Sequence, residues 1–265
     1  MDSNNPMPNF RELEQNSLEK AFLKNLNHEL RTPMNAIIGF ANLIQNHCHG
    51  DKEIAELVEA MNFSCFQLLN LVNDLVDLSK LETNKLHLHP VKCDLNELME
   101  SLYIDYQKQL DKDNKPIELL IYKDDCYRDI FIDIDRARFT QIWKYIIDNA
   151  MKFTHIGKIE FGYMIRGRGV HCYVKDTGIG MPQSSVKMVF EQFVRNSNCE
   201  YGGLGIGLTI ARKLIELMEG HIWIDSEQGK GTIVYFTVPV EPENKKKKKD
   251  ELIDKLIIID QKQLQ

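Results

Sequence analysis

The chain has 265 residues, of which 43% are hydrophobic, and a formal net charge of −6. This length and composition predict a globular protein with one large domain or two ordinary ones. The acidic balance argues against nucleic-acid binding, which needs a basic surface. The sequence contains neither a run of about 18 apolar residues nor a signal peptide, so we expect a cytoplasmic chain without a membrane span. The six cysteines are scattered without a C-x-x-C pair, which predicts neither disulfides nor a zinc site.

Two long helices are predicted in the first third of the chain, joined by a turn near His49 to Asp51. Apolar residues recur there with heptad spacing, which is typical of helices that pack side by side. The first set is Leu23, Leu26, Leu30, Pro33, Ile37, Phe40 and Ile44. The second set is Ile54, Val58, Met61, Cys65, Leu68, Val72 and Leu75, widened by Leu57, Leu71 and Leu78. Such wide stripes favour pairing of two copies into a dimeric four-helix bundle.

A single histidine lies opposite the apolar stripe of the first helix. On the heptad register His28 takes the f position, so we expect it to project into solvent. Glu29 follows it directly, and Thr32 lies one helical turn further on. These three residues are either a reactive site or ordinary surface side chains of a coiled coil.

Shorter elements replace the long helices from about Thr83 onward. Strands are predicted at 117–122, 130–132, 158–165, 170–175, 222–224 and 233–238, and helices at 136–153 and 203–218. Strands with interposed helices predict an α/β sandwich. We therefore expect a disordered lead (1–10), a helical dimerisation domain (11–84), an α/β domain (85–240) and a lysine-rich tail (241–265).

A glycine-rich segment opens the last predicted helix of the α/β domain. It contains Gly203, Gly205 and Gly207. Backbone amides at a helix N-terminus form an anion site that suits phosphate groups. A glycine-rich turn before a helix is also a common packing device, and both interpretations stay open.

Two further segments of this domain have the chemistry of a nucleotide site. Asp176, at the end of a predicted strand, could accept a hydrogen bond from an adenine amino group, and Gly178 and Gly180 would admit a flat ring. The alternative is a simple turn after the strand. Asn149 and Lys152 lie at i and i+3 on one helix face. An amide oxygen can complete the coordination of a hydrated Mg²⁺, and a lysine can neutralise phosphate charge.

These segments together resemble a known kinase family. The stretch 22–40, with His28-Glu29-Leu30-Arg31-Thr32-Pro33 at its centre, resembles the H-box of sensor histidine kinases of the HisKA dimerisation type. The asparagine and glycine segments resemble the N, G1 and G2 boxes of the Bergerat-type ATPase domain, which histidine kinases share with DNA gyrase and heat-shock chaperones. Phe190 and Phe193 lie in a segment that resembles the F-box. The resemblance covers about residues 17–239.

The resemblance implies a Bergerat ATPase fold and a protein-histidine kinase of a two-component phosphorelay. ATP and Mg²⁺ would bind in the α/β domain, with Asp176 recognising adenine and Asn149 binding the metal. A lid over 194–203 would cover the triphosphate, and Arg195 would contact a phosphate.

The same resemblance implies how the phosphoryl group moves. An imidazole nitrogen of His28 would attack ATP, and Glu29 would act as general base. The phosphoryl group would then pass to an aspartate of a response-regulator receiver domain. Thr32 would orient a water for dephosphorylating that partner, which implies phosphatase activity.

Two positions depart from the family pattern. Tyr145 stands where the N-box usually has a first asparagine, and Leu204 stands where the glycine box usually has a small residue. Three classes therefore stay open: an active kinase, a weakened kinase acting as a dimeric nucleotide-binding and partner-binding module, and a different Bergerat-fold ATPase. Asp135 and Arg138 fit the helix leading into the N-box, and a surface salt bridge explains them equally. Residues 256–260 resemble the first strand of a receiver domain.

Overall fold

The computed structural model describes residues 10–47, 51–124, 130–186, 188–190 and 205–239. The helices are α1 (Phe10–His47), α2 (Asp51–Glu82), α3 (Leu95–Asp113), α4 (Arg136–Phe153), α5 (Gln183–Val186) and α6 (Gly207–Leu217). The strands are β1 (Val91–Asp94), β2 (Ile117–Tyr122), β3 (Phe131–Ile134), β4 (Gly157–Arg166), β5 (Gly169–Asp176), β6 (His221–Glu227) and β7 (Gly231–Pro239). No helix within these ranges is both long and apolar enough to cross a membrane.

The chain divides into two compact units. One holds the helical region up to Leu86 together with residues 190–210. The other holds residues 87–189 and the segment from Ala211 onward. The predicted lead (1–10) lies outside the described residues except for Phe10, where α1 begins, and the predicted tail (241–265) lies wholly outside them.

In the first unit, α1 and α2 pack against each other as a hairpin. The predicted stripe of α1 is half-buried at Leu26, Leu30, Ile37, Phe40 and Ile44, and the helix continues through the buried Pro33. On α2 the half-buried apolar side chains are Ile54, Leu57, Val58, Met61, Leu68, Leu71 and Leu75, and Leu78 is buried.

Part of the apolar stripe predicted for α2 is exposed in the single chain. Cys65 and Val72 are exposed, whereas Ser64 is buried and donates a hydrogen bond to the Ala60 carbonyl oxygen at 3.1 Å. The reason is geometric, because the apolar stripe of α2 is wider than the strip that a single neighbouring helix covers.

The second unit is the predicted α/β sandwich. Its five-stranded sheet has the order β2-β4-β5-β7-β6, in which only the β2–β4 pair is parallel, and β1 pairs with β3 in a separate antiparallel sheet. Four fully buried rings hold α4 against the sheet, with Trp143 and Phe236 at a centroid distance of 4.9 Å in an edge-to-face arrangement. The other two rings are Phe139 and Phe161. Aromatic side chains of this size contribute a large share of the buried apolar area.

The elements predicted from the sequence do not include β1 and α3, which occupy residues 91–113. The helix has a clear start, since the Asp94 carboxylate caps it by accepting from the backbone N–H groups of Asn96 and Glu97. Its buried residues follow the helical period, and they are Leu95, Leu98, Met99, Leu102, Tyr106 and Leu110. Both signals are present in the sequence, so this helix was predictable.

Candidate active site

The residues of the predicted H-box lie on the middle of α1. His28 is exposed, as the heptad register predicts, while Glu29 is half-buried. The exposed Thr32 hydroxyl donates to the backbone carbonyl oxygen of His28 at 3.1 Å. The histidine ring is therefore accessible to a reactant in solution, and the threonine hydroxyl is held one turn away from it.

The last turns of α4 present Asn149 and Lys152. The Asn149 amide nitrogen donates to the Tyr145 backbone carbonyl oxygen at 2.9 Å, so the amide oxygen is the atom left for a cation. The Lys152 ammonium lies 5.2 Å from the centroid of the Phe153 ring. The Tyr145 hydroxyl accepts a hydrogen bond from the Gln141 side chain at 3.0 Å.

The start of α4 is fixed by a buried carboxylate. Asp135 caps the helix, because one carboxylate oxygen accepts from the Arg138 backbone N–H at 3.0 Å. The other oxygen accepts from the backbone N–H of His89 at 2.9 Å. Asp135 thus orients the helix that carries Asn149 and Lys152.

Asp176 is the last residue of β5, and its side chain is buried. Its Oδ1 atom accepts two backbone hydrogen bonds, from Gly178 at 2.8 Å and from Thr232 at 3.3 Å. Burial raises the pKa of the Asp176 carboxyl, and these two N–H groups partly oppose the rise. The arrangement holds a hydrogen-bond acceptor in a fixed direction within a largely dry site.

The loop after Asp176 is clamped between α4 and the β6–β7 hairpin. The Ile179 N–H donates to the Phe153 carbonyl oxygen at 3.2 Å, and the Ile179 carbonyl oxygen accepts from Gly229 at 2.7 Å. A β carbon added at Gly178 would lie only 2.3 Å from the Phe153 carbonyl oxygen. The turn therefore packs with its backbone directly against the backbone at the end of α4. This contact places the Asp176 segment beside the helix that carries Asn149.

Gly180 has a packing reason of its own. Its φ is +58°, and an added β carbon would lie 2.0 Å from the Glu227 carbonyl oxygen. Close approach of backbone to backbone therefore explains the glycines at 178 and 180, independently of the predicted flat ring.

Two polar residues near Asp176, Thr232 and Ser226, were not predicted from the sequence. Thr232 of β7 is the register partner of Asp176 on one side and of Ser226 in β6 on the other. Thr232 and Ser226 are both buried, on the side of the sheet that carries the core residues. A polar residue at an inward-facing position of an apolar strand is the signal that could have identified them.

The remaining predicted site residues lie partly outside the described chain. Phe190 is half-buried, and its carbonyl oxygen accepts from the Thr209 hydroxyl at 3.4 Å. Gly205 has a φ of +70° and precedes α6, which begins at Gly207 rather than at the predicted residue 203. Phe193, Arg195, Gly203 and Leu204 are outside the described residues.

The donor set fits a magnesium nucleotide. Mg²⁺ takes oxygen ligands and keeps several waters and phosphate oxygens, so one amide oxygen from Asn149 is a suitable protein contribution. Lys152 offers a cation for phosphate, and Asp176 offers an acceptor for an amino group.

Two family models match the chain. One is described as "Histidine kinase-, DNA gyrase B-, and HSP90-like ATPase" and matches residues 134–242. The other is described as "His Kinase A (phospho-acceptor) domain" and matches residues 18–84. The fold and site define a protein in which an ATPase domain follows a phospho-acceptor hairpin. The chain belongs to the sensor histidine kinases, whose catalytic core it contains.

Curated relatives are much longer than this chain. Autoinducer 2 sensor kinase/phosphatase LuxQ of Vibrio vulnificus (strain YJ016) is 34% identical over 241 residues, which are 87% of this chain and 28% of LuxQ. Sensor histidine kinase RcsC of Salmonella typhimurium (strain LT2) is 33% identical over 231 residues, which are 86% of this chain and 24% of RcsC. The chain thus spans about a quarter of the length of these relatives.

Solved structures share the fold. Full-length ShkA in complex with AMPPNP matches with a TM-score of 0.63 and 27% identity, over 83% of this chain and 46% of ShkA. ThkA in complex with the response regulator protein TrrA matches with a TM-score of 0.58 and 23% identity, over 91% of this chain and 69% of that chain. The second likeness shows the fold alone.

Replacing Gly180 with alanine tests the clamp on the Asp176 loop. Gly167 is the matched control, because its φ is +61° and nothing lies within 4 Å of an added β carbon. We expect Gly167→Ala to lower the free energy of unfolding by about 1 kcal/mol, the cost of a left-handed alanine. Gly180→Ala should cost at least about 2 kcal/mol more, because the backbone at Glu227 must move.

Urea unfolding followed by tryptophan fluorescence, to which the buried Trp143 and the exposed Trp223 contribute, measures both variants. Equal losses of stability would contradict the close packing at Gly180.

Proposed function

We propose that the chain is an ATP-dependent protein-histidine kinase that phosphorylates His28 and passes the phosphoryl group to an aspartate of a response regulator. The proposal depends on the presence of two residues in one chain. His28 is exposed in the region that matches the phospho-acceptor domain. Asp176 is a buried hydrogen-bond acceptor in the region that matches the ATPase domain. The relative LuxQ is called a sensor kinase/phosphatase, which supports the same chemistry.

The nucleotide would bind to residues of α4 and of the loop after β5. Asp176 would accept a hydrogen bond from the adenine amino group through the oxygen that does not bind Gly178. Lys152, in the last turn of α4, would neutralise phosphate charge. Asn149 would hold Mg²⁺, which supplies charge neutralisation to the triphosphate when bound.

The transfer step needs an accessible nucleophile. An imidazole nitrogen of His28 would attack the γ-phosphorus, forming an N–P bond as the bond from that phosphorus to the β,γ-bridging oxygen breaks and ADP leaves. Glu29, the next residue, would accept the proton from the other ring nitrogen. Solvent exposure of His28 leaves its ring accessible to the nucleotide.

The hairpin is proposed to form a four-helix bundle with a second copy. Among its side chains whose burial is described, the hairpin leaves these large apolar ones exposed: Met34, Ile38, Leu43, Phe63, Phe66, Leu69, Val72 and Val76. Exposed apolar surface on this scale favours an interface, and an isologous dimer covers both copies at once.

We expect twice the chain mass in sedimentation equilibrium at micromolar concentration, and a monomer there would contradict the proposal.

The kinase proposal is tested by phosphorylation with γ-labelled ATP and Mg²⁺. Wild-type protein should acquire label that is acid-labile and base-stable, whereas His28→Gln should acquire none. His87→Gln is the matched control, because it removes another histidine and should label like wild type. Label that persists in His28→Gln would refute the assignment. If the wild-type protein binds nucleotide and acquires no label, the result would favour a weakened kinase that acts as a binding module. The departure from the family pattern at Tyr145 suggests that alternative.

A phosphatase activity toward the phosphorylated response regulator is proposed to need the Thr32 hydroxyl, which lies one turn from His28. Thr32→Ala should retain autophosphorylation and lose the phosphatase activity, and Thr32→Ser should retain both. The measurement is the decay of phosphorylated receiver domain with each variant. Loss of both activities in Thr32→Ala would show that the threonine supports the helix instead.

A further inference from the structure

The structure connects the Asp176 loop to a buried serine that does not itself bond Asp176. Ser226 is 3% exposed, near the end of β6. Its hydroxyl oxygen accepts from the Met181 backbone N–H at 3.0 Å. It also lies 3.0 Å from the Gly231 carbonyl oxygen and 2.9 Å from the Thr232 hydroxyl oxygen.

The three bonds of Ser226 have one consistent arrangement of protons. A hydroxyl has one proton and two lone pairs, and a carbonyl oxygen can only accept. The Ser226 proton must therefore go to the Gly231 carbonyl oxygen, while the Met181 N–H donates to one lone pair of the serine oxygen. The Thr232 hydroxyl must then donate to the remaining lone pair of Ser226. All three bonds are satisfied at once, and the Thr232 side chain is fixed in one orientation.

This arrangement holds the Asp176 loop at both ends. Thr232, the partner of Ser226, uses its backbone N–H to bind Asp176 Oδ1 at 3.3 Å. Met181 lies five residues after Asp176 and anchors the far end of the same loop. Asp176, Thr232 and Ser226 form one row across β5, β7 and β6 by strand register. A shift of Ser226 would therefore change the direction of the Asp176 carboxylate through two independent connections.

We propose that Ser226 is a positioning residue for the purine base, which sets the selectivity of the site for adenine by fixing the Asp176 carboxylate. The inference rests on the proposed role of Asp176 as the adenine acceptor. Adenine presents an amino donor where guanine presents a carbonyl acceptor, so a rigid acceptor at Asp176 favours the first and repels the second. Loosening the carboxylate should weaken the preference and leave binding of the phosphates intact.

The test is isothermal titration of the full chain with Mg²⁺ and either AMPPNP or GMPPNP. Ser226→Ala should bind AMPPNP about tenfold more weakly, because a buried network loses its central partner. Its affinity for GMPPNP should change less than twofold, so that the preference for adenine shrinks by nearly the same tenfold factor. Ser226→Thr retains the hydroxyl and should restore wild-type selectivity. Ser184→Ala, which removes an exposed hydroxyl on α5, should leave both affinities unchanged.

Two results overturn the inference. One is an unchanged AMPPNP affinity in folded Ser226→Ala, and the other is an equal loss for both nucleotides, which would indicate a general loss of structure. If Ser226→Ala does not fold, Thr232→Val decides, since it removes the partner hydroxyl and keeps the side-chain shape. It should show the same tenfold loss for AMPPNP, and an unchanged affinity would overturn the inference.

The outcome is independent of the kinase proposal. Nucleotide binding needs no transfer to His28, so a chain that fails to label can still confirm or refute the role of Ser226. A chain that labels His28 normally, with selectivity unaffected by Ser226→Ala, would retain the kinase proposal and lose this inference.

Discussion

The pair of backbone hydrogen bonds that hold Asp176 is the constraint on which the proposed nucleotide site depends. Gly178 and Thr232 bind the same carboxylate oxygen, so the side chain is fixed by its own loop and by the neighbouring strand together. The loop can do this only because its glycines let it lie directly against the end of α4 and the β6–β7 hairpin. A side chain at Gly178 would push the loop away from the end of α4, and a side chain at Gly180 would push it away from the hairpin.

The two halves of the proposed chemistry call for opposite environments. A phosphoryl acceptor has to be reachable by two different partners, and His28 on the outer surface of α1 meets that need. A residue that recognises a base works better away from water, where a hydrogen bond is stronger and an unpaired group is costly. Burial gives Asp176, the proposed base-recognition residue, such a setting.

Local patterns in the sequence predicted the elements well, and tertiary contacts explain most of what they missed. The helix α4 was predicted with its observed bounds, because an apolar period runs through it and Asp135 precedes it as a cap. The helix α3 carries the same signals and was overlooked. The exposure of Cys65 depends on where α1 lies across a wide stripe, which no local pattern encodes. The support of Asp176 by Thr232 likewise depends on strand pairing between residues 56 positions apart.

The most direct test of the central claim, that Asp176 forms the adenine site of a kinase core, is a comparison of ATP and ITP binding to the wild-type chain by calorimetry. Inosine carries a carbonyl oxygen where adenine carries the amino group that Asp176 would accept. ITP should bind roughly 100-fold more weakly than ATP, because two acceptors would then face each other. Equal affinities for the two nucleotides would contradict the role of Asp176 as the adenine acceptor.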